Sequence, residues 1–262
     1  MAKKIFSIHR KSVSLQTKNI IMTKGLQRFE TRLNYFREDL ELVDLVVANK
    51  EKLKGIDTII NKSNDGEHPL INSRQNNANS RSLITKHLRK TVFVSFIKDM
   101  HEEVSEYLQY LLKQGALTRI PSGQLLGEHK INISANELLQ MNDRNDIVEF
   151  VSEEIYRKLE SEKSTSKLLK KINNKLALGV PQTLIESVIP FMDLRHFFVH
   201  RDGKPDSTFQ RKYPIFSIDS KGRITLDITL INLAYEKIHD LLKEYDSRII
   251  SKGFVNSSEI IP

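Results

Sequence analysis

The 262-residue sequence contains no cysteine, which removes disulfide bonds, cysteine-ligated zinc and thiol catalysis from consideration. No stretch approaches the roughly 20 consecutive apolar residues that a membrane-spanning helix needs. Glycine is sparse, at 10 residues, and Gly66, Gly123 and Gly127 stand isolated, so there is no phosphate-cradling loop or dinucleotide fingerprint. A serine nucleophile elbow and a His-Glu-x-x-His zinc pattern are missing as well. The opening residues, Met1 to Ile5, begin basic but have no hydrophobic segment or small-residue cleavage site behind them; the expectation is an intracellular, cytoplasmic protein.

What the chain does have is positive charge. Lys and Arg number 41 against 33 Asp and Glu, a net charge of +8. Such a basic footprint favours a polyanionic partner, nucleic acid first, although charge alone separates RNA from DNA no better than it separates either from a lysine-rich solvated surface. Hydrophobic residues make up 39% of the chain, enough for one large or two small cores.

The apolar spacing is helical almost throughout. Residues 1–17 are basic without a period and are left open as an arm or a short element. From about Thr17 to Asn49, Leu26, Phe29, Leu33, Phe36, Leu40, Val43 and Val47 step by three and four, a packing stripe. Residues 61–80 are polar and Asn-rich and are expected to be a loop. Ser80 or Ser82 is positioned to cap a second long helix reaching Gln114, with Gly115 as its stop. Its basic first half (Arg81, Lys86, His87, Arg89, Lys90) and its acidic Glu102, Glu103 and Glu106 are expected to be solvated faces. Ser134 to Glu137 form a capping box. Further helices are expected over about 145–161 and from Thr165, closed by Gly179, then from Pro181 up to a bend or break at Pro190. Ile215–Ile218 and Ile224–Leu226 around Asp219 to Gly222 read as a small β-hairpin. Asp227 caps a last helix, and residues from Gly253 onward are expected to be a tail.

The chemistry concentrates in Pro190 to Asp206. Phe191, Leu194 and Phe198 form an apolar stripe, Gly203 and Pro205 end the helix, and Arg195, His196, His200, Arg201 and Lys204 crowd its last turns. His196 and His200, four apart, share a face; Arg195 lies about 140° round from His200. Imidazole titrates near neutrality and serves as acid or base, while guanidinium holds a phosphate by paired hydrogen bonds. RNA supplies its own 2′-hydroxyl nucleophile, so such groups suffice without a metal.

The phrase Leu194-Arg195-His196-Phe197-Phe198-Val199-His200 resembles the motif of the HEPN superfamily: Arg, a polar residue, three variable residues, then His, near a helix end. The resemblance covers roughly residues 80–250. It implies an all-α, HEPN-like helical bundle, here with the small β-hairpin inserted before the last helix. It divides the chain into 1–79 (basic arm, long helix and Asn-rich loop), 80–250 (the HEPN-like domain) and 251–262 (tail). It also implies metal-independent endoribonuclease activity in a toxin–antitoxin, abortive-infection or antiviral setting, with Arg195 and His200 as the catalytic pair and His196 at the polar second position. Arg201 and Lys204 would contact substrate phosphate. No cofactor is implied. The partners would be RNA, a second copy sharing one cleft, and an antitoxin or defence-complex protein.

Rival readings remain at this stage. His196 and His200 also fit a helix C-terminus favoured by the macrodipole, or two ligands of a divalent ion with Asp193 or Asp202, which the flanking arginines oppose. A non-catalytic HEPN-like module that binds RNA or protein, or a subunit of a larger defence complex, is the alternative function.

Overall fold

The computed structural model describes residues 21–52, 77–118, 120–161 and 164–262; the basic arm, the first residues of the expected N-terminal helix and most of the Asn-rich loop lie outside them. Nine α-helices and two short strands are present among the described residues: β1 (Met22–Thr23), α1 (Lys24–Ala48), α2 (Ala78–Leu117), α3 (Ser122–Leu126), α4 (Ala135–Gln140), α5 (Arg144–Glu160), α6 (Thr165–Lys175), α7 (Gln182–His200), α8 (Ser207–Lys212), α9 (Ile228–Ser251) and β2 (Ile260–Ile261). The chain is all-α in class.

The long helices assemble through their apolar stripes. Leu26, Phe29, Leu33 and Leu40 are buried along α1, with Phe36 packed at their edge. α1 lies antiparallel to α2, as ion pairs from Arg32 to Glu103 and Glu106 (2.9 and 2.8 Å) and from Arg89 to Asp44 (2.7 Å) record. Two of the acids expected to face solvent alone therefore tie α2 to α1. α9 packs on α1, α2 and α7, and α6 on α7. One hydrophobic cluster runs from Leu26 to Val255, so α1 and the C-terminal segment share the core of the helices between them.

Caps explain most boundaries. The hydroxyl of Thr23 accepts the Leu26 amide at 3.1 Å and starts α1. The Ser134/Glu137 capping box forms reciprocally, and Asp227 Oδ1 accepts the Leu230 amide at 2.8 Å to start α9. At α2 the cap is Asn77, not Ser80 or Ser82: its Oδ1 accepts the Ser80 amide at 2.9 Å.

Four expectations are corrected. Gly115 does not end α2; a Cβ there would stand 2.5 Å from Ile120 and 2.7 Å from Leu176, so glycine is required for close packing inside the helix. Pro190 does not break the chain, since α7 runs through it. Proline removes one backbone hydrogen bond, but Val188 to Met192 and Leu194 are all buried, and that packing holds the helix together. The expected hairpin reduces to one bridge, Ile218 to Ile224, because Phe216 folds inward against Phe191 and Phe209 instead of extending a ladder. The expected tail is structured: Val255 is buried and β2 pairs antiparallel with β1, Thr23 opposite Ile260.

Candidate active site

α7 delivers the Arg195–His200 segment to a surface shared with α2 and the loop between α8 and α9. Leu194 and Phe197 are buried and fix the helix's rotation. The end is closed by two amides, Arg201 and Gly203, donating to the Phe197 carbonyl at 3.0 and 2.9 Å. Asp202 and Gly203 both have positive φ, 50° and 78°, which turns the chain sharply away. The loop docks beneath, with the Ile224 amide on the Gly203 carbonyl at 2.9 Å.

The candidate residues do not all converge. His196 and His200 are exposed and come together, with ring centroids 5.4 Å apart and planes tilted by 49°; His196 also meets the edge of Phe197 at 5.5 Å. Arg195 is half-buried and turns the other way, toward α2. No hydrogen bond or ion pair among the described residues joins it to His200, in keeping with their angular separation on one helix. Its Nε is buried without a hydrogen-bond partner, and among the described residues no carboxylate lies within ion-pair distance. Arg201 is exposed and bonded to Asp206 at 3.4 Å. Lys204 is exposed and makes no ion pair among the described residues.

Four further residues outside the expected ribonuclease site meet here. Asp202 is clamped by Lys90 of α2 (2.6 Å) and by Arg223 of the loop, and the Lys90 bond foremost holds its carboxyl below the usual carboxylate range. Lys90 and Arg223 thereby join Arg201 and Lys204 in one basic surface. His101 of α2 is the fourth. Burial first, and the Arg195 charge second, push its imidazole down to about 4, so it stands neutral beside the guanidinium. Its signal in the sequence is a histidine within the buried run Ile97, Met100, Val104.

Among the described residues no group of three or more His, Asp or Glu side chains is arranged to hold a metal ion, so the two-histidine alternative lacks a third ligand. No helix among them is long and apolar enough to cross a membrane. Comparison with protein-family models, with curated proteins and with solved structures gives no match.

Proposed function

We propose that the chain is a metal-independent endoribonuclease of the HEPN type that works as a homodimer, in a toxin–antitoxin or antiviral defence setting. The observation that carries this reading is the state of Arg195. A guanidinium held for structure is normally paired, because an unpaired buried donor is costly. Arg195 shares a buried, unpartnered Nε with Arg89 and Arg223, but those two are ion-paired, whereas Arg195 makes no ion pair among the described residues; it stands on the same helix end as the exposed His196–His200 pair, beside a neutral His101 that cannot act as its counter-ion. Its terminal guanidinium nitrogens, with no partner among the described residues, are the donors an outside anion would meet.

In the reaction, the 2′-oxygen bonds to phosphorus as an imidazole takes its proton. The bond from phosphorus to the 5′-oxygen breaks as that oxygen receives a proton, leaving a 2′,3′-cyclic phosphate and a 5′-hydroxyl. His200 moves protons and His196, in ring contact with it, shares that face. Arg195 binds the charge that builds on phosphate in the transition state. Arg201 and Lys204 hold flanking phosphates. Because Arg195 and His200 diverge within one chain, an isologous dimer would set Arg195 of one copy beside His200 of the other.

The test is cleavage of RNA in EDTA by wild type and His200→Ala with matched circular dichroism. Loss of proton transfer should lower the rate by roughly 10²–10⁴-fold. Equal cutting by both proteins would remove the site from this helix end. The same divergence favours one second reading, a monomeric module that holds RNA or protein without cutting it. A monomer in gel filtration that binds RNA and never cleaves it would establish that reading instead.

A further inference from the structure

Beside the histidine pair, the start of α6, the buried half of α7 and α8 enclose a groove of about 440 Å³, within the range of small-ligand sites, about 300–1,000 Å³. Its walls differ in chemistry. Phe197 and Tyr213 supply aromatic surface, Lys212 a cation, and Thr165 and Thr208 hydroxyls, with Asp193 at the floor. Asp193 is half-buried and has no cation within ion-pair distance among the described residues. Burial raises its carboxyl above the ordinary range against the opposing pull of Lys212 and the nearby Thr165 hydroxyl. The Thr165 hydroxyl is the one hydrogen-bond donor beside it among the described residues, which leaves acceptor sites of the carboxylate open. The Thr208 hydroxyl makes no hydrogen bond among the described residues either, and the Lys212 ammonium sits 5.0 Å from the centre of the Tyr213 ring.

The groove is continuous with the candidate site. Asp193, His196 and His200 recur at i, i+3 and i+7, one face of α7. Phe197 lines the groove and touches the His196 ring. Asp206, at the rim, holds Arg201.

We propose that this groove is a nucleobase subsite, taking one unstacked base of single-stranded RNA next to the phosphate held at His196 and His200, with guanine preferred. The inference rests on the ribonucleic-acid reading of that site. Single-stranded bases are recognised by stacking on aromatic rings and by hydrogen bonds to their edges. Guanine alone presents two adjacent N–H donors on its Watson–Crick edge, which one carboxylate, Asp193, accepts together. Tyr213 stacks on the base, and Lys212 meets the phosphate that follows.

The test uses the full chain and fluorescently labelled hexanucleotides, U₂GU₃ and U₂AU₃, carrying 2′-O-methyl groups so that wild type binds without cutting. Anisotropy titrations at one fixed salt concentration should show the guanine oligonucleotide bound about ten-fold tighter than the adenine one. Asp193→Asn should abolish that preference. Tyr213→Ala should weaken both by about ten-fold. Unmodified versions, digested in EDTA, give the independent readout. Equal binding of the two oligonucleotides by wild type, or affinities unchanged in both variants, overturns the subsite even if RNA is cut. Guanine-selective binding lost in Asp193→Asn sustains the subsite even if nothing is cut, and the ribonuclease reading alone then falls. Failure of wild type to bind either oligonucleotide overturns the subsite, and if the unmodified versions are not cut either, the ribonuclease reading falls with it.

Discussion

Two polar clusters on α2 are built to opposite rules. Around Tyr107, Asp246 of α9 is 1% exposed and accepts from the Thr23 amide (2.9 Å), the Thr23 hydroxyl (2.5 Å) and the Tyr107 hydroxyl (2.8 Å). Every group in that knot is satisfied, and it fastens β1, α1, α2 and α9 together. About 25 Å away along α2, 17 residues at 1.5 Å each from Tyr107 to Lys90, the end of α7 carries two exposed imidazoles and, with no ion pair among the described residues, Arg195 and Lys204. The first cluster is saturated and holds the fold, while the second leaves exposed titratable and charged groups that an outside ligand can complete. The contrast is informative because the same helix supports both clusters, so the openness at α7 does not come from a loose scaffold.

The comparison predicts that breaking the open cluster costs activity and almost no stability. Arg195→Ala and His200→Ala should each lose roughly 10²–10⁴-fold in cleavage, with urea midpoints within about 0.5 kcal/mol of wild type. If the site is shared across a dimer, mixing the two inactive variants in equal amounts should restore about a quarter of wild-type activity, since half of the dimers are mixed and each mixed dimer has one intact site. No restoration after subunit exchange would place both residues of a site in the same chain.

Breaking the closed cluster should do the reverse. Asp246→Ala strands the Thr23 amide and hydroxyl and leaves the Tyr107 hydroxyl only the Leu242 carbonyl at 3.3 Å, and should cost about 3 kcal/mol of stability by urea unfolding; a cost under about 1 kcal/mol would mean that the knot is incidental. His101 lies between the two extremes, half-buried and facing Arg195. Its imidazole is lowered from 6.5 to about 4, so between those values the unfolded chain binds more protons than the folded one. The stability that neutral His101 contributes is complete above about pH 6.5 and is lost as pH falls toward 4, about 3 kcal/mol in all. Subtracting the urea stability of His101→Leu from that of wild type across pH 4–7 isolates this slope. A difference that does not change with pH would show that His101 is not held neutral.

Local pattern revealed most of the helices and the histidine pair. The α1 stripe, the Ser134 capping box and the Asp227 cap are short-range devices, and short-range spacing exposes them. The histidine pair was visible for the same reason, as an i,i+4 repeat before a Gly/Pro exit. What spacing could not reveal depends on distant partners. Pro190 stays helical only because the residues around it are buried by other elements. β2 exists only because β1 lies more than 230 residues earlier. Lys90 and Arg223 join the basic surface only through Asp202, 112 and 21 residues away. His101 left a fainter trace, a titratable side chain within an apolar run, which reads as packing until Arg195 is seen opposite.

The smallest effect separates the turn that shapes the open cluster from one that merely permits a loop. Gly203 and Gly222 both have positive φ, 78° and 75°, so alanine is strained at either and should cost about 1 kcal/mol for that reason alone. At Gly222 nothing lies within 4 Å of an added Cβ, whereas at Gly203 it would stand 2.9 Å from the Phe198 ring. Phe198 is on the helix that carries His200, and the Gly203 carbonyl receives the Ile224 amide that docks the loop bearing Arg223. Gly203→Ala should therefore cost about 2 kcal/mol and lower cleavage several-fold by displacing the end of α7, while Gly222→Ala costs about half as much and leaves cleavage unchanged. Paired urea denaturation and rate measurements on the two variants decide this. Equal losses of stability with no difference in rate would mean that the tight turn at Gly203 only ends the helix and takes no part in positioning His200.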